Sequence, residues 1–294
     1  MTEHDLITAI RDDYDNDALR LSLADWYAAN GQSERAEFIR ACVITKRCPF
    51  NSPEYEQAII KRRSAWSNCR PSFWDDMGAG SAMSLFGDLG MYTISFAEGR
   101  GTFACTPKAM KAVGNQKWLG KAYDTGWLLR MDMRFDDGSL GKYVKRWHSP
   151  VGDIPLWVKP APTISDDGLH TVFKLPQLCG LSFFNETLSQ SRTILKMGQE
   201  KRLRRLKMDI RFLSRERWEA IIEQILMLEN LYELMLEAEW NEAGGLKPTD
   251  DDVLRFAALK NLKKLDLVKA TAVTDAAIEQ LKAMRPDLRI THTI

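Results

Sequence analysis

The sequence lacks an excess of charge of either sign. Lysine and arginine number 41 against 40 aspartates and glutamates, a net charge of +1. A protein holding nucleic acid mainly through its phosphates would show a basic surplus, so that class is disfavoured for the chain as a whole, and only a local patch stays open. Cysteine is scarce. Cys42, Cys48, Cys69, Cys105 and Cys179 are odd in number and scattered, with no C-x-x-C pair. This argues against both a disulfide framework and a zinc knuckle, and for a reducing cytoplasm. No apolar run approaches the length that spans a bilayer. The acidic start MTEHDLITAIRDDYD has no cationic segment ahead of an apolar stretch, so no signal peptide is expected.

Motifs of catalysis are also missing. None of the 4 histidines has a second ligand-type residue at metal spacing. There is no G-x-S-x-G, P-loop or G-x-G-x-x-G. Asp136-Asp137-Gly138 and Asp166-Asp167-Gly168 lack the alternating acids and terminal glutamate of a calcium loop; the first reads as a turn and the second as a helix start. Cys105 with His148 is a lone cysteine and a distant histidine, too little for a nucleophile and its base. The sequence therefore predicts a non-enzyme with no metal, cofactor or catalytic residue. A hydrophobic share of 45% and a charged share of 28% are those of an ordinary globular protein.

What is present is a repeat. The pattern L-x-x-L-x-L occurs at Leu178-Leu181-Phe183, Leu203-Leu206-Met208, Leu231-Leu234-Leu236 and Leu262-Leu265-Leu267. The first members lie about 25, 28 and 31 residues apart, near the leucine-rich-repeat period. Between them, Ser165-Asp166, Ser214, Thr249-Asp250 and Thr274-Asp275 each precede apolar residues three or four apart. A hydroxyl there accepts an orphan backbone N–H, a following acid meets the positive end of the helix dipole, and the apolar stripe is one buried helix face. Each L-x-x-L-x-L is then a short strand with alternate residues inward. No strand-and-helix coil can bury its stripe alone, so the coils must stack.

LKNLKKLDLVKATAVTDAAIEQLKAM (259–284) resembles the leucine-rich repeats with a V-T-D signature found in bacterial repeat proteins. The resemblance implies a right-handed α/β solenoid over 161–294, with parallel strands on a concave face and helices on the convex one. It departs from the family in one respect: the asparagine expected after each strand is replaced by Glu186, Arg211, Glu239 and Ala270. Arg285 to Ile290 read as a truncated last coil that closes the stack.

The N-terminus reads as short helices: one near Glu3–Arg11, a second capped by 15–17 with Leu19, Leu23, Trp26 and Tyr27 on one face and Asn30-Gly31 at its end, and a third from Ser33 carrying Ala36, Phe38, Ile39 and Val43. LADWYAANGQSERAEFIR (23–40) resembles the bacterial repeat-companion domain. That likeness covers about the first 47 residues and implies a small all-α domain joined to repeats, with no activity attached. Asp25, Arg35 and Glu37 match its motif and read as inter-helix ion pairs and caps. Glu54–Trp66 reads as a helix with Lys61-Arg62-Arg63 on a solvated face. The domains expected are 1–70 helical, 71–160 irregular or degenerate repeats, with a proline-rich insertion at 134–163, and 161–294 solenoid.

If the strands align in register, the outward residues form three columns: Gly180, Arg205, Glu233, Lys264; then Ser182, Lys207, Met235, Asp266; then Phe184, Asp209, Glu237, Val268. Alternating signs with a few apolar anchors suit a protein or peptide partner. The expectation is a cytoplasmic, non-membrane scaffold or adaptor binding protein through Ser182, Phe184, Arg205, Lys207, Asp209, Glu233, Met235, Glu237, Lys264 and Asp266. The alternative is a nucleic-acid accessory protein using the basic cluster Lys201-Arg202-Leu203-Arg204-Arg205-Leu206-Lys207.

Overall fold

The structure is a computed structural model. It describes residues 1–13, 16–48, 52–77, 93–95, 102–105, 130–138, 140, 156–238 and 246–293. Two compact units divide the chain: Met1–Asp132 with His148–Ile154, and Met133–Trp147 with Pro155–Ile294. Residues 71–160, read above as one stretch, are shared between them. Glu239 and His148, noted in the sequence, lie outside the described residues.

The N-terminal unit begins with four helices: α1 (Glu3–Asp12), α2 (Asp17–Ala29), α3 (Ser33–Arg47) and α4 (Pro53–Met77). Thr2 and Asp5 form a reciprocal capping box at the start of α1, and the Asn16 side chain caps α2. After α2 the chain turns at Gly31, whose φ of 78° is a left-handed conformation that glycine adopts without steric cost. Leu6, Ile7 and Ile10 of α1 pack on Leu23, Ala24 and Tyr27 of α2 and Ala36 of α3. α4 runs well beyond the predicted end at Trp66 and takes in the start of the stretch read as irregular or degenerate repeats. Its buried stripe is Ala58, Ala65 and Cys69, and Phe38 of α3 meets Trp66 with ring centroids 5.2 Å apart. An antiparallel pair, β1 (Thr93–Ser95) and β2 (Thr102–Cys105), also belongs to this unit.

β3 (Arg130–Phe135) enters the second unit from Met133. After it this unit is α/β, with six strands all parallel and in chain order: β4 (Leu156–Pro160), β5 (Leu178–Phe183), β6 (Arg205–Asp209), β7 (Glu233–Glu237), β8 (Lys264–Val268) and β9 (Arg289–Thr293). β4 corrects the expectation of an irregular insertion there. Its alternation of Leu156, Val158 and Pro160 inward is that of a strand, and Pro160 stands at its end, where a missing N–H costs little. Connections carry α5 (Asp166–Phe173), α6 (Asn185–Gln190) with a 3-10 turn at Thr193–Gln199, α7 (Arg215–Leu226), α8 (Asp250–Arg255) with a 3-10 turn at Phe256–Ala258, and α9 (Asp275–Met284).

The expected hydroxyl caps form. Ser165 accepts from Gly168 N, Ser214 from Arg217 N, Thr249 from Asp252 N and Thr274 from Ala277 N. α6 has no side-chain cap, and the sequence shows no Ser/Thr-acid signal there. Inward strand residues stack in register: Leu181, Leu206, Leu234, Leu265 and Ile290 form one row, and Phe183, Met208, Leu236, Leu267 and His292 the next. The leucines of both rows are buried, as are Trp218, Ile221 and Ile225 of α7 and Val253 and Phe256 behind β8. Leu203, Leu231 and Leu262 are buried two residues before their strands, aligned by the backbone bonds Tyr232 N to Arg204 O and Lys263 N to Tyr232 O that follow them.

Polar side chains tie each strand-helix module to the next. Asp137 accepts from Ser165 N and Oγ (3.1 and 2.8 Å), Asp166 from Ser191 Oγ and Thr193 N, and Asp250 from Thr274 N and Oγ1 (2.7 and 2.8 Å). Thus the acid after a cap serves the neighbouring module as well as its own helix. At the other helix ends, Arg202 donates to Phe173 O, Asn230 to Lys201 O and Asn261 to Glu229 O. Each of these residues precedes the first leucine of its motif. One residue ahead of the expected asparagine positions Arg211 and Glu239, backbone groups pair between modules, Ile210 N to Glu237 O and Ala238 N to Val268 O.

Leu265→Ala is expected to cost about 2–5 kcal/mol by removing a fully buried side chain from the middle of a row. Asn261→Ala, which only frees a carbonyl, is expected to cost about 1 kcal/mol. Urea denaturation of the two variants checks the difference. Hydrogen bonds from Ser191 and Thr193 hold the Asp166 carboxyl down from 3.8 to about 2. A depressed carboxyl stabilises the fold above its unfolded pKa, and that stabilisation is lost as pH falls through the folded value. Acid titration of thermal stability should therefore show a component between about pH 4 and pH 2 that disappears in Asp166→Asn.

Candidate binding surface on the outer face of the sheet

Residues between the inward rows point to the other face of the sheet, because successive strand side chains alternate. The register pairs Gly180 with Arg205, Arg205 with Glu233 and Glu233 with Lys264. It pairs Ser182 with Lys207, Lys207 with Met235 and Met235 with Asp266. Asp209 faces Glu237, which faces Val268. Phe184 lies just past the end of β5, at the N-cap of α6. The first two expected columns are thus brought together, and the third from Asp209 to Val268, with Phe184 beyond the paired strand.

Two members were missed. Trp157 pairs with Gly180 and heads the first column, and Lys159 stands two residues on along the same face of β4. The signal was legible in the inward alternation of Leu156, Val158 and Pro160, but four nearby prolines hid it. Glycine at 180 makes room for the indole beside it: a Cβ there would stand 3.1 Å from Trp157 Cγ.

The columns are less open than their charges suggest. Arg205 lies 3.4 Å from Glu233, whose other oxygen is 2.9 Å from the Lys264 ammonium, which is itself 2.9 Å from Asp266. Arg205, Glu233, Asp266, Asp209 and Ser182 are all buried. Lys207 meets Glu237 at 3.1 Å, and Asp209 is held by Arg211 at 2.6 Å. Burial disfavours the Lys264 charge, yet Glu233 and Asp266 outweigh it and hold the ammonium above the usual lysine value. Accessible area comes instead from Trp157, Lys159, Phe184, Lys207, Met235 and Glu237. Lys159 Nζ sits 4.4 Å over the Phe184 ring and the Arg205 guanidinium 5.9 Å from the Trp157 ring, both within cation–π range.

The basic cluster 201–207 is dispersed by the same alternation. Lys201 pairs with Glu229, Arg202 with Glu200, Arg205 with Glu233 and Lys207 with Glu237; Arg204 lies over Tyr232. In the N-terminal unit, Asp25 binds Arg40 at 2.7 Å, and Arg35 stacks 4.0 Å over Tyr27 and lies 3.8 Å from Glu3. Two of the three motif residues therefore make the expected links between helices, and Glu37 stands exposed. Lys61 and Arg63 are exposed and Arg62 partly so. Among the described residues, no group of three histidine, cysteine or acidic side chains could hold a metal, and no helix is long and apolar enough to cross a membrane. The chain matches no known protein family and no curated protein.

Lys264→Met leaves two buried carboxylates without their shared cation and should destabilise the fold by about 2–4 kcal/mol. Lys207→Met, at a half-exposed pair, should change it by less than about 1 kcal/mol. The raised Lys264 value stabilises the fold below the unfolded lysine pKa and loses that effect as pH rises through the folded one. Thermal melts between neutral and strongly alkaline pH should show a component that Lys264→Met abolishes.

Proposed function

We propose that this chain is a non-catalytic scaffold or adaptor of the cytoplasm: a repeat-companion helical domain joined to a leucine-rich-repeat solenoid that binds a protein partner on its concave sheet. In-register parallel strands in chain order, with the leucine spacing and the hydroxyl-acid caps, support the repeat reading. The observation that carries the binding reading is the composition of the outer face. Its charges are largely matched to one another, and most of its accessible area, Glu237 aside, is aromatic, thioether and alkyl-stemmed. Such a face offers a protein partner rigid anchors, Trp157 and Phe184 above all, without requiring that partner to neutralise buried charge. The paired state of the 201–207 cluster speaks against a polyphosphate ligand, which would need cations not already engaged.

The sheet's accessible anchors, rather than its buried ion pairs, are the residues to alter. Affinity capture from cells with the full chain as bait, quantified by mass spectrometry, should enrich one set of proteins. Trp157→Ala with Met235→Asp should reduce that set by about tenfold or more, the loss of one or two anchor residues. A partner captured equally by the double variant, itself folded by circular dichroism, would remove the sheet face from the binding site.

A further inference from the structure

The ladder of parallel strands stops at β9, with β8 on one side of it and, among the described residues, no strand on the other. Arg289 N donates to Lys263 O. Successive residues of a strand turn their backbone groups to alternate neighbours, so Arg289, Thr291 and Thr293 bond β8, and Ile290 and His292 direct their N–H and C=O groups to the open side. The inward rows are also unfinished here. Leu265 and Leu267 are fully buried, whereas Ile290 and His292, next in the same rows, are half-buried. Little blunts this edge: β9 follows β8 without a bulge, and its sequence RITHT has no proline and no inward lysine, arginine or carboxylate.

α9 continues the open side in the helix layer. Its buried stripe is Ala277, Ile278 and Leu281. Around the helix, one flank of that stripe carries Asp275, Glu279 and Lys282. The other carries Ala276, Gln280, Ala283 and Met284, all uncharged and exposed, Met284 by 53%. Arg285, next after α9, reaches back to Leu259 O and Leu262 O of the preceding module (2.6 and 2.8 Å), and the uncharged flank is turned away from it. An internal boundary looks different: α7 meets α8 through Arg215 on Asp252 and Arg255 on Glu219.

We infer that the open edge of β9 and the uncharged flank of α9 form the two-fold interface of a dimer of this chain. The occupant must bring an unpaired strand and, behind it at module spacing, an uncharged helix flank. A lone strand of another protein would extend the ladder and leave Ala276, Ala283 and Met284 bare; β9 and α9 of a second copy bring both. Antiparallel pairing centred on Thr291 sets Ile290 opposite the other copy's His292, so each backbone group directed to the open side finds a partner. It keeps inward residues inward and sets Arg289 against Thr293, so no like charges meet on the outer face. The two α9 helices then run antiparallel, with Gln280 at the axis and Ala276 toward Met284. Lys282 falls toward the other copy's Glu279, where a parallel arrangement would set like charge beside like. Such an interface is isologous and closes at two copies. It lies at the edge of the sheet and not on its outer face, so it goes beyond the binding reading above.

Sedimentation equilibrium of the full chain, from low micromolar to submillimolar concentration, tests this assignment and should show a monomer–dimer equilibrium. Gln280→Arg sets two guanidinium groups against each other at the axis and should weaken the dimer by about tenfold or more. Gln280→Glu should weaken it similarly, and an equimolar mixture of these two variants should associate more tightly than either alone. His292→Pro removes a donor from the open edge and none from the β8 ladder, and it too should weaken the dimer by about tenfold or more. Circular dichroism melts establish that each variant is folded. A chain that stays monomeric over the whole range overturns the proposal. A dimer that the Gln280 and His292 variants leave unchanged overturns it by placing the contact elsewhere. Failure of the mixed variants to recover association, or growth beyond two copies, overturns the two-fold arrangement. None of these readouts involves Trp157 or Met235, so the outcome is separate from that of the capture experiment above.

Discussion

Side-by-side burial of Leu206, Leu234 and Leu265 is the constraint on which the sheet unit depends. A strand of five residues and a helix of two or three turns cannot enclose their own apolar atoms, so each leucine row is finished only by its neighbours. A one-residue slip of any strand would carry its inward leucines to the outer face and its charges into the core. Register is therefore fixed by burial, and once fixed it dictates which outward residues meet. The ion-pair chain from Arg205 through Glu233 and Lys264 to Asp266 is a consequence of that register and does not cause it.

The connections vary in length, and the variation is absorbed where it does no harm. α7 is a regular helix of three turns, whereas the β7–β8 connection has a short α8 closing in a 3-10 turn, and the β5–β6 connection pairs an uncapped α6 with another 3-10 turn. Strand lengths stay nearly constant from β6 to β9. What the modules share is the boundary chemistry. An acid or arginine after the cap binds forward or back, as in the bidentate grip of Arg215 on Asp252, and a side chain ahead of the first leucine holds the preceding module's carbonyl. Those carbonyls would otherwise be left without partners at the helix ends.

Much of this was legible in the sequence because it is periodic. Leucines at fixed offsets specify inward rows, and Ser165, Ser214, Thr249 and Thr274 mark helix starts by chemistry that needs no tertiary context. The column memberships followed by counting alternate residues. β4 was hidden because prolines at 150, 155, 160 and 162 read as punctuation, and only pairing with β5 makes Leu156–Pro160 a strand. The burial of Arg205, Glu233 and Asp266 was hidden for a different reason. Outward orientation was equated with exposure, but neighbouring long side chains of opposite sign cover one another once they are held about 4.8 Å apart. The role of Asn230 and Asn261 was not legible because the repeat pattern puts its asparagine after the strand, whereas here the carbonyls are held from the position before the first leucine.

The internal matching of charge on the outer face has a bearing on how anything settles there. Cations already countered by carboxylates hold few condensed mobile ions, so little of the driving force for association would come from releasing them. A ligand seated against Trp157, Phe184 and Met235 would then be held to a similar degree in dilute buffer and at physiological ionic strength, with attraction confined to distances at which surfaces touch.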